Sequence, residues 1–273
     1  LDFVSSVTLT DIYGYMTYLS RERVLHQNSD ASGYGLNAAS RARKIATIRS
    51  FYKYLTNKVH LIKENPVKDL DSPKLKKTLP KYLTLEESVQ LLSSVDGQNR
   101  ERDYCILTLF LNCGLRISEL CALNTTDIQD DALRVLGKGN KVRIVYLNDA
   151  CKEALNGYLA VRRPIVGRDQ NALFLSSRDE RVSRSTVHAL VKKHLSEAGL
   201  DSTQYSAHKL RHTAATLMLQ NGVDVKAVQE VLGHEHLNTT EIYTHIDNEA
   251  LRVAAKANPL SRVKPPKKNE TEK

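Results

Sequence analysis

The chain has 273 residues, 41% of them hydrophobic, which is enough for one large domain or two ordinary ones with a buried core. It carries 40 Lys and Arg against 31 Asp and Glu, and the net charge of +9 indicates either a polyanionic partner or a merely basic solvated surface. No apolar run approaches the roughly 18 residues of a membrane helix, and no charged-then-apolar segment opens the chain, so we expect no membrane association.

Four cysteines, Cys105, Cys113, Cys121 and Cys151, lie among apolar residues and form no C-x-x-C pair. We therefore expect them to be reduced core thiols of a cytoplasmic protein.

The first 81 residues hold most of the net positive charge, because they contain 14 Lys and Arg against 7 Asp and Glu. The pattern predicts a helix over 10–24 with Thr10 as its N-cap, a polar loop over 26–36 and a stronger helix over 37–57. In the stronger helix, four apolar residues recur at spacings of three and four: Ile45, Ile48, Phe51 and Leu55. Three cations lie opposite them, with small residues between: Arg43, Arg49 and Lys53. This basic face is either a DNA contact or an ordinary solvated face, and the charge of the segment favours DNA.

Residues 63–81 contain three prolines and six lysines and show no helical period, which predicts a linker between two domains. Its cations, Lys76 and Lys77 among them, could follow a phosphate backbone. The chain begins at Leu1 rather than Met, which is compatible with a start inside a longer protein.

A second domain is predicted from residue 82. Thr84 and Glu87 form a capping box, a helix over 102–113 ends at Gly114, and Arg116 opens a short helix. Residues 131–147 alternate around G-K-G-N, which predicts a β-hairpin with Lys138 in its turn. A helix over 150–162 and a short strand over 172–175 follow. Further helices are predicted over 184–198, 208–221, 225–232, 238–245 and 248–257, and the polar tail is expected to be disordered.

The stretch from Ser206 to His245 carries most of the candidate chemistry. His208, Arg211 and His212 share one helix face, and they could form a zinc site or an anion site. The H-E-x-x-H pattern is absent and Arg211 would repel a cation, so an anion fits better. A guanidinium suits phosphate oxygens, and the imidazoles of His208 and His234 can move a proton near neutral pH. We interpret His212 as a structural residue.

The motifs of the second domain resemble those of the tyrosine recombinases, close to the XerC and XerD branch. They are, in family order, C-G-L-R-I-S-E-L, G-K-G-N-K-V-R, H-K-L-R-H-T-A-A-T, L-G-H and T-T-E-I-Y-T-H. Residues 37–57 are similar to the basic helix of the family's N-terminal core-binding domain. The resemblance covers nearly the whole chain, and it departs from the family at Ser206-Ala207, where a proline is common.

The resemblance assigns roles residue by residue. Arg116 and Arg211 match the arginines that clamp the scissile phosphate, and His208 and His234 match the two histidines. Tyr243 matches the nucleophile, and Lys138 matches the general acid, with Lys141 as the runner-up. Glu119 matches an acidic residue that supports the site, and its implied role is to orient Arg116. Lys141 also joins the candidate DNA contacts.

The resemblance also implies an architecture and partners. The expected fold is mainly α (α+β): an all-helical core-binding domain over 1–62, the linker over 63–81, a catalytic domain over 82–258 with a small antiparallel sheet, and a tail over 259–273. Two domains would clamp double-stranded DNA like a C, and four protomers, identical or including a paralogue, would act on two recombination sites. The helix over 248–257 would contact a neighbouring protomer. No metal or cofactor is implied.

The implied activity is site-specific cleavage and rejoining of DNA through a covalent 3′-phosphotyrosine. Two other functions remain to be weighed at this point. A DNA-binding accessory protein without turnover would not need six intact catalytic residues, and a type IB topoisomerase shares the chemistry but acts alone.

Overall fold

The computed structural model describes residues 2–23, 34–73, 81–165, 169–233 and 248–266. The chain divides into two compact units, Leu1–Leu79 and Pro80–Lys273. Each unit has its own hydrophobic core. The molecule is mostly helical, with one small antiparallel sheet, which is the predicted fold class. No helix among the described residues is long and apolar enough to span a membrane.

The described residues of the first unit form three helices: α1 (Asp2–Ser5), α2 (Leu9–Arg21) and α3 (Ala38–Asn57). Thr8, not the predicted Thr10, caps α2, because its side chain accepts from the Asp11 backbone N–H while Asp11 returns the bond in a capping box. Asn37 caps α3, so this helix begins where the sequence predicted.

The core of the first unit differs from the prediction at two places. In α3 the buried residues are Ile45, Tyr52 and Leu55, whereas Phe51 is 48% exposed because it lies at the edge of the apolar stripe. The core also extends into the predicted linker over 63–81: Val67 and Leu70 are buried in it, together with Ile62 just before the linker.

Up to residue 233, the described part of the second unit contains seven helices: α4 (Leu85–Ser93), α5 (Arg100–Cys113), α6 (Ile117–Ala122), α7 (Asp149–Val161), α8 (Arg184–Glu197), α9 (Ala207–Gln220) and α10 (Val225–Leu232). The predicted Thr84–Glu87 capping box opens α4. Gly114 ends α5 in the left-handed conformation with φ of 58°. The predicted helix over 238–245 lies outside the described residues.

The sheet is a three-stranded meander in the order β1 (Ile128–Gln129), β2 (Ala132–Leu136) and β3 (Val142–Tyr146). The predicted hairpin is β2–β3, in which Leu133 faces Val145 and Leu136 faces Val142. Its turn is a short 3₁₀ segment, Lys138–Asn140. The predicted strand over 172–175 is wrong: this buried apolar run makes only isolated bridges, at Ala172 and Leu175, among the described residues.

Helix α5 forms the centre of the second unit, with 11 of its residues buried from Asp103 to Cys113. All four cysteines are free and buried, as predicted for core thiols. Burial raises the pKa of Cys121 to about 11 and that of Cys105 well above its usual value. A buried polar cluster joins α5 to α8, where Asp103 lies 2.8 Å from Arg102 Nη2 and 3.1 Å from His194 Nε2.

The last helix, α11 (Asn248–Lys256), and the segment after it pack on their own unit. Leu251, Ala254 and Ala255 are buried on their own unit, while Val253 is 57% exposed, and contact of this helix with a neighbouring protomer stays a prediction. The predicted polar tail is also ordered through a 3₁₀ turn, Pro259–Arg262. Leu260 is fully buried in the main core, and the Asn258 amide donates to the Leu111 carbonyl.

Candidate active site

The site is centred on the buried carboxylate of Glu119, which lies in the first turn of α6 and is 2% exposed. Arg116 caps this helix, and its backbone N–H donates to Glu119 Oε2 at 2.8 Å. The Arg116 guanidinium donates to Glu119 Oε1 at 2.7 Å, and its side chain stays 35% exposed. The left-handed turn at Gly114 and the short α6 therefore hold the backbone of Arg116 in place and leave part of its side chain accessible at the surface.

Arg143 on β3 is a residue that the sequence analysis missed. Its two terminal nitrogens donate to the two carboxylate oxygens of Glu119, each at 2.9 Å, which is the bidentate geometry of a strong arginine–carboxylate pair. A signal was present, because β3 alternates and Arg143 shares the inward face with the buried Val145. A cation on the inward face of a strand requires an internal partner.

Arg211 lies on α9 and is almost fully buried, whereas His208 in the first turn of the same helix is exposed. Arg211 donates to the Gly114 carbonyl and to the Leu232 carbonyl, each at 2.6 Å, and lies 3.9 Å from Glu119 Oε2. His212 is half-buried and packs edge-on against Tyr82 with 6.3 Å between ring centroids, which agrees with its structural interpretation.

Three successive carbonyls at the C-terminal end of α10 accept hydrogen bonds from the three arginines. Arg143 donates to Val231, Arg211 to Leu232 and Arg116 to Gly233. The carbonyl end of a helix carries partial negative charge, so it suits cations. The chain reaches His234 directly after these carbonyls. His234 and Tyr243 both lie outside the described residues.

Two ionisable groups of the cluster, Glu119 and Arg211, have pKa values below their usual ones. Burial alone would raise the pKa of Glu119, but hydrogen bonds from Arg143 and from the Arg116 backbone outweigh it, so the pKa lies below its usual value. Burial, followed by the positive charge of Arg116, lowers the pKa of Arg211 to about 10. Arg211 therefore stays charged at neutral pH, and three guanidinium groups surround a single ionised carboxylate.

The hairpin holds the two candidate lysines. The backbone of Lys138 lies in the 3₁₀ turn, where Gly139 has φ of 71°, and Lys141 is exposed at the start of the return strand. The turn is closed by the Gly137 N–H, which donates to the Lys141 carbonyl at 2.8 Å. The turn thus places Lys138, as predicted, at the tip of a closed hairpin.

The remaining candidate residues are in the first unit or in the expected linker. On α3, Arg43 and Lys53 are exposed, while Arg49 is half-buried. Lys76 and Lys77 lie outside the described residues. Among the residues that the structure describes, no group of three or more His, Cys, Asp or Glu is arranged to hold a metal ion.

Comparisons with known proteins agree with this geometry. Residues 81–250 match the model of the phage integrase family. The chain is 51% identical to a tyrosine recombinase XerC from Caldanaerobacter subterraneus subsp. tengcongensis over 263 residues, which are 96% of this chain and 71% of the relative.

Solved structures with the same fold include the XerA recombinase. It is 30% identical to this chain with a TM-score of 0.54, and the match covers 91% of this chain and 82% of that one. The XerH site-specific recombinase bound to difH substrate has a TM-score of 0.64 at 24% identity, and the match covers 92% and 71% of the two chains.

Proposed function

This chain belongs to the phage integrase family as a site-specific tyrosine recombinase of the XerC and XerD branch, and from that premise we propose that its Glu119-centred arginine cluster binds the scissile phosphate of DNA. The observation that carries the proposal is the surplus of charge. Arg116, Arg143 and Arg211 surround one carboxylate, so two positive charges remain for an anion. The exposed side of Arg116 and the first turn of α9, with His208, are where a phosphate would reach them.

In the proposed reaction, the Tyr243 oxygen attacks the phosphorus and forms a 3′-phosphotyrosine while the bond to the 5′ oxygen breaks. Lys138 donates a proton to that departing oxygen, and the tyrosine proton passes to a nearby base. Arg116, Arg211 and the two histidines stabilise the additional charge of the five-coordinate transition state. The reverse attack by a 5′ hydroxyl restores a phosphodiester, so neither ATP nor a metal ion is needed.

The wider assembly remains part of the proposal. The first unit, with Arg43, Arg49 and Lys53 on α3, supplies phosphate contacts along the duplex, and the cations of residues 74–81 add to them. We keep the boundaries 1–62, 63–81, 82–258 and 259–273 as functional segments, with the correction that residues 62–70 pack in the first core. Four protomers, identical or with a paralogue, act on two sites in a C-shaped clamp. Buried free thiols fit a reducing cytoplasm.

A nicked DNA substrate that releases a short fragment after cleavage tests the central step. The wild-type protein should give a covalent protein–DNA band on a denaturing gel, and Tyr243→Phe should bind the DNA without giving the band. Tyr205→Phe is the matched control in the same unit and should keep the band. A covalent band from Tyr243→Phe would overturn the assignment of the nucleophile.

The same assay separates the remaining alternatives. An accessory protein without turnover would give no band from the wild type, and a type IB topoisomerase would relax supercoiled DNA lacking any recombination site. Cleavage should continue in EDTA. A loss of cleavage that added metal restores would contradict the metal-independent chemistry.

A further inference from the structure

We propose that Arg143 is a positioning residue that fixes the lysine hairpin to the phosphate-binding arginines and so sets the place of the general acid. The inference rests on the proposed function, in which Lys138 protonates the departing oxygen. It concerns a residue outside the six assigned to the reaction, and it follows from the contacts of one guanidinium with three separate elements.

The first contact is with the hairpin turn. A Cβ added at Gly137 would lie 3.6 Å from Arg143 Nη1, 3.9 Å from Glu119 Oε1 and 3.3 Å from the Lys141 carbonyl oxygen. The Gly137 Cα therefore lies beside the Arg143–Glu119 pair, and Lys138 is the next residue. The turn itself is short and contains two residues with positive φ, Gly139 and Asn140.

The second and third contacts are with α6 and with the end of α10. The two-nitrogen pair with Glu119 links β3 to the carboxylate that also holds Arg116. The Arg143 Nε donates to the Val231 carbonyl at 3.3 Å. Gly233, with φ of 65°, lies so close that a Cβ there would be 3.0 Å from Arg143 Cδ. The same side chain thus touches the residues just before Lys138 and just before His234.

These contacts distinguish Arg143 from Arg116. All three of its nitrogens donate to acceptors inside the protein, and its side chain is 16% exposed, against 35% for Arg116. Because its planar fork is occupied by Glu119, Arg143 acts on the reaction through the hairpin. Removing it leaves the Arg116 contacts to Glu119 and Gly233 in place and frees the turn that carries Lys138.

A substrate whose leaving 5′ oxygen is replaced by sulfur tests this role. A thiol has a pKa of about 8.5, so the sulfur leaves as a thiolate and needs no proton from a general acid. Cleavage rates would be measured on oxygen and sulfur substrates for Arg143→Ala, Lys138→Ala and Arg116→Ala. We expect Arg143→Ala and Lys138→Ala to lose about 10²-fold or more on oxygen and to recover on sulfur, whereas Arg116→Ala stays slow on both.

The outcomes separate the inference from the function on which it rests. If Lys138→Ala is not rescued by sulfur, the assignment of the general acid fails. If Lys138→Ala is rescued but Arg143→Ala is slow on both substrates, or is as fast as wild type on oxygen, the positioning role is overturned. If Arg143→Ala does not fold, the same rates are measured for Arg143→Lys, because this variant keeps the positive charge and loses the bidentate pair with Glu119.

Discussion

Two buried charge clusters in the second unit are built from similar groups and differ in their balance. Around Glu119, three arginines share one carboxylate, and one of them stays 35% exposed. Around Asp103, one arginine pairs with the carboxylate at 2.8 Å, and His194, fully buried, lies 3.1 Å from its other oxygen. The first cluster has a surplus of charge and an open side, whereas the second is buried and pairs one arginine with one carboxylate.

The difference teaches how to separate a functional cluster from a structural one. A buried arginine–carboxylate pair is present in both, so the pair alone decides nothing. A surplus of positive charge with an open side is what allows an external anion to bind. Each prediction below tests whether the surplus at Glu119 serves the reaction while the balance at Asp103 serves the fold.

The largest expected effect is on cleavage rate. Arg116→Ala should slow covalent cleavage by about 10²–10³-fold, because one donor to the transition-state phosphate is lost. The rate would be measured on the nicked substrate at saturating protein. Arg102→Ala, the matched arginine of the other cluster, should leave the rate of the folded protein unchanged. Equal losses in the two variants would break the comparison.

Next in size is a loss of stability without a loss of rate. Asp103→Asn should lower the free energy of unfolding by about 1–3 kcal/mol, since it removes the charge that pairs with Arg102 and the acceptor facing His194. Urea denaturation would measure it. Asp179→Asn is the control, because its contact with Arg163 is long at 3.8 Å and exposed, so a change within about 1 kcal/mol is expected.

A smaller effect should appear in the pH dependence of stability. The pKa of Glu119 in the fold lies below its usual 4.5, so its ionisation stabilises the fold fully above that value and less as the pH falls below it. The stability gap between wild type and Glu119→Gln should therefore narrow as the pH falls below 4.5. A constant gap would show that the carboxylate charge does not support the cluster.

The smallest effect concerns the first unit. Arg49→Ala should weaken DNA binding and reduce the slope of log affinity against log salt by about one, as expected for one lost phosphate contact. Lys152→Ala is the control, because Lys152 already pairs with Asp149 at 3.5 Å. If the slope for Arg49→Ala stays at the wild-type value, the basic face of α3 is an ordinary solvated face.

The sequence predicted well those features that depend on neighbouring residues. The capping box at Thr84, the helix end at Gly114 and the hairpin around Lys138 are each set within a few residues, and all three are confirmed. The fold class and family followed from the order of the motifs. Thr8 rather than Thr10 caps α2 because only Thr8 has an acidic residue, Asp11, three positions later.

What the sequence missed depends on distant contacts. Arg143 pairs with Glu119, which is 24 residues away in the sequence. The alternation of β3 indicates that Arg143 needs an internal partner, but nothing near β3 in the sequence identifies Glu119 as that partner. The tail is polar on average, yet Leu260 is buried in the main core. An average over composition does not detect a single buried apolar residue. The sequence showed the apolar face of α11, but it did not identify the side chains of the same chain that this face packs against, among them Val228 and Val231.

The buried thiols make the molecule convenient for spectroscopy. Cys105, Cys113, Cys121 and Cys151 are all free and buried, and burial raises the pKa of Cys105, Cys121 and Cys151, so little reactive thiolate forms at neutral pH. A cysteine introduced at Val253, which is 57% exposed on α11, would then take a maleimide dye while the native thiols stay unlabelled. A fluorophore there would follow the last helix during synapsis without any background substitutions.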